Sequence, residues 1–260
     1  MAYNTWPFYV NPPIANPYIQ SAGTDNYDIF SYQNPYGGYD NNTYYGQLMG
    51  LGGCFCKKSY FRIMNTYPDI TMNVHVNEIV MAENLKKGEF TKYVQFPPGR
   101  YDVKIFTSEN DENPAFESEI DIDRNLTYTG VIIPDGEDLD DISILMIPEA
   151  KEKSIKGRIS AIRMVNAACN APKLVLEDSE GTTWFSGVDC GNASNNIAVP
   201  SGRYSLALKE KAKKNNVIKT LDVDFAPKMH YTIFVTGNCE EEPGIKIVTP
   251  EDGVNYLDIC

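Results

Sequence analysis

The sequence predicts an all-β protein: two tandem antiparallel β-sandwiches behind a long N-terminal arm rich in Tyr, Asn, Pro and Gly. Three observations lead there. From Tyr60 onward, short alternating segments rich in Val, Ile, Thr, Tyr and Phe are separated by turn residues about every 8–12 positions. The first of these blocks, 57–150, recurs in a second, 155–260. Residues 1–56 share the composition of neither. At about 100–150 residues per domain, 260 residues hold one large or two small domains.

The strand expectation rests on period 2. Segments 61–64, 72–76, 101–106, 128–133 and 142–147 all show it. In 101–106, Tyr101, Val103 and Ile105 share one face while Asp102 and Lys104 point to water. No stretch carries a 3.6-residue apolar period, so no helix is predicted.

The arm is different chemistry. Residues 1–53 contain no Lys or Arg and hold nine of the 17 tyrosines. Pro is spread through the first half of the segment and excludes a long helix. Such a sequence buries no core of its own, which leaves two readings: a disordered tail, or an arm that folds onto a neighbouring molecule. Tyrosine gives large contact area at low rotamer entropy and suits docking. The expected docking residues are Trp6, Phe8, Tyr9, Tyr18, Tyr27, Tyr44 and Tyr45. Fully extended, the arm reaches on the order of 170 Å. It lacks the basic start and apolar stretch of a secretion signal, and no apolar run approaches the ~20 residues of a membrane span.

The second block repeats the first in order. Arg62-Ile63-Met64-Asn65 returns as Arg163-Met164-Val165-Asn166, and Pro98-Gly99-Arg100-Tyr101 as Ser201-Gly202-Arg203-Tyr204. Ile120-Asp121-Ile122-Asp123 returns as Leu221-Asp222-Val223-Asp224, and Leu126-Thr127-Tyr128-Thr129 as Met229-His230-Tyr231-Thr232. The linker is expected at Glu149-Ala150-Lys151-Glu152-Lys153, which is polar and poor in β-formers. Tyr128 and Tyr231 are expected to pack their rings inside and hydrogen-bond their hydroxyls. Arg62 and Arg163 are expected to pair with a carboxylate or backbone carbonyls.

An Arg-x-x-Asn first strand, a mid-domain Pro-x-Gly-x-Tyr and a later Thr-Tyr-Thr strand resemble a bacterial domain family of unknown function. It occurs, often in tandem, in cell-surface and secreted proteins. Residues 61–69 match its opening, whereas the second copy moves the proline to Pro172 and loses the aspartate. The resemblance implies an immunoglobulin-like sandwich and a surface location, and no activity. In composition the chain also resembles clostridial spore-coat and spore-appendage proteins, which combine Tyr/Asn/Pro-rich ends, cysteines and sandwich domains.

Six cysteines complete the picture. No spacing fits zinc, and neither His75 nor His230 accompanies a thiol in a nucleophile motif. Cys169 and Cys190 are expected to form an intradomain disulfide, with buried thiols as the plainer alternative. Cys54 and Cys56 lie two apart, so in a strand both thiols face one way and are poorly placed to bond each other. The expectation is head-to-tail linkage of Cys54 and Cys56 in one subunit to Cys239 and Cys260 in the next, which without closure generates a fibre. An internal Cys239–Cys260 bridge competes with it. Disulfides need an oxidising compartment. With no secretion signal visible, synthesis in a mother cell that later lyses around a spore reconciles the two.

The net charge of −12 and pI near 4.7 argue against nucleic acid or anionic membrane as partner. Phosphate-loop, dinucleotide, nucleophile-elbow and metalloprotease motifs are missing, so no enzyme, catalytic residue, metal or cofactor is expected. The acidic run 135–141 lacks calcium-loop spacing and reads as a solvated loop. The basic run 209–214 reads as a hairpin tip. The leading functional expectation is a structural subunit that self-assembles through its arm into a disulfide-stabilised extracellular fibre, a spore appendage or coat component. Its partners would be copies of itself and other spore-surface proteins. The alternative is an adhesin-like module binding carbohydrate or a host surface.

Overall fold

The computed structural model describes residues 58–67, 70–107, 112–134, 142–149, 155–237 and 244–259. The expected docking residues Trp6, Phe8, Tyr9, Tyr18, Tyr27, Tyr44 and Tyr45 lie outside them, as do Cys54, Cys56, Cys239, Cys260 and the acidic run 135–141. Among the described residues the regular structure is strand throughout, apart from one 3-10 turn at Gly253–Asn255. The N-terminal half supplies β1 (Ser59–Asn65), β2 (Met72–Val76), β3 (Ile79–Leu85), β4 (Val94–Phe96), β5 (Gly99–Thr107), β6 (Phe116–Ile122), β7 (Thr127–Pro134) and β8 (Ile142–Glu149). The C-terminal half supplies β9 (Ile159–Asn166), β10 (Leu174–Asp178), β11 (Thr183–Val188), β12 (Asn192–Ala193), β13 (Ile197–Pro200), β14 (Gly202–Glu210), β15 (Lys213–Phe225), β16 (His230–Thr236) and β17 (Lys246–Val248).

Each half folds into two sheets. The first half gives β4-β1-β7-β8 and β3-β2-β5-β6; the second gives β12-β9-β16-β17, with β13 also on β9, and β11-β10-β14-β15. One pairing in each half departs from the antiparallel expectation. β1 runs parallel to β7, from Tyr60 opposite Thr127 to Asn65 opposite Ile132, and β9 runs parallel to β16. Between the paired strands the chain crosses to the other sheet and returns, so the two enter their sheet in the same direction. The sheets holding β1 and β9 are therefore mixed.

Burial separates the sheets into two kinds. In β2, buried Met72, Val74 and Val76 alternate with half-exposed Asn73 and His75, as a sheet with one wet face requires. β7 is buried from Thr127 to Ile133 and β16 along its whole length. β1 and β9 are nearly as enclosed. These strands have protein on both faces. On one side, Phe61, Ile63, Tyr128 and Ile132 join the first sandwich core, and Ile162, Met164, Tyr231 and Ile233 the second. On the other, Met64, Phe90, Val131, Ile133 and Ile147 meet Val165, Ala167 and Phe234 in a third core. The molecule is thus four sheets deep, with a seam between the two inner ones. Gly130 sits in this dense stack because a Cβ there would lie 2.9 Å from Phe61 Cζ and 3.1 Å from Ile144 Cγ2.

The repeat is visible atom by atom. Tyr101 donates its hydroxyl proton to Pro97 O at 2.6 Å, and Tyr204 to Pro200 O at 2.7 Å. Asn65 Nδ2 bonds the carbonyls of Ile70 and Leu85, and Asn166 Nδ2 that of Val188. Tyr128 and Tyr231 bury their rings as expected; the Tyr128 hydroxyl donates to Asp123 and the Tyr231 hydroxyl accepts from Ala226 N. One expectation needs correction. Glu149 does not begin a linker: it ends β8 and is 1% exposed. The basic run forms the end of the β14–β15 hairpin as expected, with Lys209 paired to Glu177, Nζ to Oε2 at 2.5 Å.

The edge strand β6 shows how the outer surface is kept from pairing with other chains. Glu117, Glu119 and Asp121 point outward while Ile120 and Ile122 are buried. Arg100 spans Glu119 and Asp121 at 3.3 and 3.1 Å. Exposed pairs of this kind contribute under about 1 kcal/mol. A charged edge is a poor template for strand addition.

Candidate functional site

The seam collects the unusual chemistry of the molecule. Arg62 and Arg163 occupy equivalent places in β1 and β9, 1% and 0% exposed. The parallel register sets Arg62 opposite Thr129 and Arg163 opposite Thr232. Each guanidinium donates Nε–H to a threonine hydroxyl, at 2.8 and 2.9 Å, and both lie within electrostatic reach of the Glu149 carboxyl. Arg62 also lies over two rings, its Cζ 4.4 Å from the Phe90 centroid and 4.5 Å from that of Tyr93. Its Nη2 is buried and has no hydrogen-bond partner among the described residues.

Glu149 is the buried carboxyl group of the seam. Its Oε1 accepts the Tyr93 hydroxyl at 2.5 Å and its Oε2 accepts Val254 N–H at 2.9 Å. Loss of water pushes its pKa up to about 8, against the pull of the Arg62 guanidinium, these two hydrogen bonds and Arg163. Burial likewise holds the Tyr93 phenol well above its ordinary value. Two arginines that stay charged and one reluctant carboxylate leave the cluster with an excess of positive charge.

Residues 249–259 close the site. Asp252 N–H donates to His230 O at 3.0 Å, and Asn255 Oδ1 accepts His230 N–H at 3.1 Å, which anchors the segment to the second half. It then crosses to the first half. Val254 reaches Glu149, Tyr256 sets its ring edge-on to Tyr93 at 6.5 Å, and Asp258 Oδ2 pairs with Lys58 Nζ at 2.7 Å. The outcome is an open pocket of about 240 Å³ lined by Arg62, Phe90, Thr91, Lys92, Tyr93, Tyr256 and Leu257. Tyr256 is 52% exposed at its rim. Sequence reading missed Lys92, Tyr93, Glu149 and Tyr256, because they meet only through the stacking of the halves.

The structure bonds Cys169 to Cys190, and Cys169 also packs against the seam core. The bond ties the loop after β9 to the turn before β12. Replacing both residues with serine is expected to lower the unfolding free energy by roughly 3 kcal/mol in the chain-entropy model for such a loop, read as a lower denaturant midpoint in guanidinium titration. A disulfide implies an oxidising, extracellular environment. Trp184 lies half-buried against Tyr204, centroids 4.9 Å apart, and donates Nε1–H to Asp178 at 3.1 Å. Among the described residues no three His, Cys, Asp or Glu side chains gather to hold a metal. No described helix is long and apolar enough to cross a membrane.

Residues 59–177 match the domain of unknown function DUF4397, from the start of β1 into β10. No curated protein matches. Among solved structures the chain is similar to the C-terminal domain of AlgF from P. aeruginosa, at 20% identity over 36% of this chain and 99% of that one, with a TM-score of 0.27. It is also similar to family 41 carbohydrate-binding modules from streptococcal virulence factors, at 13% identity over 77% and 100% of the two chains, with a TM-score of 0.25. A family 26 module from Eubacterium rectale Amy13K shares 10% identity over 74% and 96%, with a TM-score of 0.24.

Proposed function

We propose that this chain is a non-catalytic subunit of an extracellular assembly, a double sandwich that joins identical copies through its N-terminal arm. The observation that carries the reading is where the arm is rooted. Lys58, the first described residue, pairs with Asp258 at 2.7 Å, and Asp258 directly follows Leu257 of the seam-pocket lining. Those residues carry three aspartates and no Lys or Arg, and the pocket offers Arg62 and Lys92. A body with a third core between its sandwiches suits a unit that transmits load without its halves parting. A spore-surface fibre locked by Cys54, Cys56, Cys239 and Cys260 is the most specific form of this proposal.

The test is deletion of residues 1–56. The full chain is expected to form polymers in electron micrographs and to migrate as a ladder on non-reducing gels; the deleted chain is expected to sediment as a monomer. Polymers that persist without the arm would overturn the reading. A second reading, a binding module for a carbohydrate or host surface, is favoured by the aromatic and cationic lining of the same pocket. Micromolar binding of a glycan by monomeric protein would select it.

A further inference from the structure

We infer that the seam pocket is a socket for an acidic, tyrosine-bearing peptide, supplied by residues 1–56 of a second copy of this chain. The inference deepens the assembly reading and rests on it. Arg62 is the first argument. A guanidinium 1% exposed, stacked on Phe90 and Tyr93, with a buried and unpartnered Nη2, is an expensive arrangement for a body without a ligand. Glu149 attracts the guanidinium, but it accepts hydrogen bonds from Tyr93 and Val254 and none from Arg62 Nη2. Thr91 is also occupied: its hydroxyl accepts Ile63 N–H at 2.9 Å and donates to Lys92 O at 3.0 Å. Of the side chains that line the pocket, two are cationic, buried Arg62 and exposed Lys92. They call for a carboxylate.

Size and walls narrow the class further. About 240 Å³ is below the range of ordinary small-molecule sites and fits one or two side chains. Phe90, Tyr93 and exposed Tyr256 offer aromatic surface to a ring. The arm carries that combination twice, as Tyr27-Asp28 and Tyr39-Asp40, without a cation to oppose docking. The charged edge of β6 disfavours strand addition there.

The experiment uses full-length chains and sedimentation velocity. Lys92→Glu and Tyr256→Ala change exposed side chains; far-ultraviolet circular dichroism checks that each variant remains folded. Each is expected to weaken self-association about tenfold or more, the scale of one lost charged or aromatic contact. A third chain reverses the arm (Asp25→Lys, Asp28→Lys and Asp40→Lys) and is also expected to fail to polymerise. Mixed with the Lys92→Glu chain, it is expected to co-assemble into alternating one-to-one polymers, since each arm then meets a pocket of opposite charge. Wild-type polymerisation by Lys92→Glu and Tyr256→Ala, with the arm deletion still monomeric, would place the socket elsewhere and leave the assembly reading standing. Failure of the mixture to co-assemble would mean that arm and pocket charges do not meet between copies, which also overturns the inference. Saturable binding of glucuronate at the pocket of a full-length chain that stays monomeric would make it an acidic-sugar site and sink both readings.

Discussion

Phe234→Ala is expected to cost about 3–5 kcal/mol of stability, the range for emptying a fully buried phenylalanine site. Phe234 is 0% exposed and belongs to the third core rather than to either sandwich. Its ring meets Phe90 of the other half edge-on, centroids 5.7 Å apart. The variant therefore attacks the contact that makes two sandwiches one body, and leaves each with its own core. Wild-type protein is expected to unfold in one transition in guanidinium, and the variant in two that begin earlier. A loss below about 1 kcal/mol, with one unchanged transition, would show that the seam contributes little to holding the halves together.

Glu149 governs the second large effect, a dependence of stability on pH. Its pKa is pushed up to about 8 in the folded chain, from an ordinary value of 4.5. Between those values the folded state holds a proton that the unfolded state has released. Stability is therefore highest below about pH 4.5 as far as this group is concerned, falls as pH rises, and levels off above about 8. Other carboxylates act in the opposite sense at lower pH, so the diagnostic is a difference. Subtracting the unfolding free energy of Glu149→Gln from that of the wild type should give a curve that falls from about pH 4.5 to about 8. A flat difference would mean that the carboxyl is ionised throughout, held by Arg62 and Arg163.

The strand pattern was open to sequence reading because a wet face leaves a trace. β2 and β5 alternate between apolar and polar residues, and the expected segments 72–76 and 101–106 fall within them. The repeat was open for a similar reason, since Asn65 and Asn166 do the same local work at the ends of their strands. The seam was harder. Segment 128–133, expected to alternate, is instead buried without alternation through Val131-Ile132-Ile133, as is Ile233-Phe234-Val235 in β16, the mark of strands covered on both sides. Glu149 left no trace. Flanked by Ala150 and charged Lys151, Glu152 and Lys153, it reads as linker. Its burial depends on Tyr93, 56 residues earlier, and Val254, 105 residues later. The parallel pairing escapes for the same reason, because Arg62 and Thr129 stand 67 residues apart.

The crossing of residues 249–259 from one half to the other bears on how the protein is made. A ribosome completes every strand of the first half with Glu149, yet Val254 N–H, the partner of that carboxylate, arrives 105 residues later. Until β9 and β16 emerge, the nascent chain displays Met64, Val131, Ile133 and Ile147 with nothing laid over them. Neighbouring ribosomes on one messenger hold several such faces close together. The characteristic error of this architecture is then an exchange, in which the late half of one polypeptide covers the early half of another.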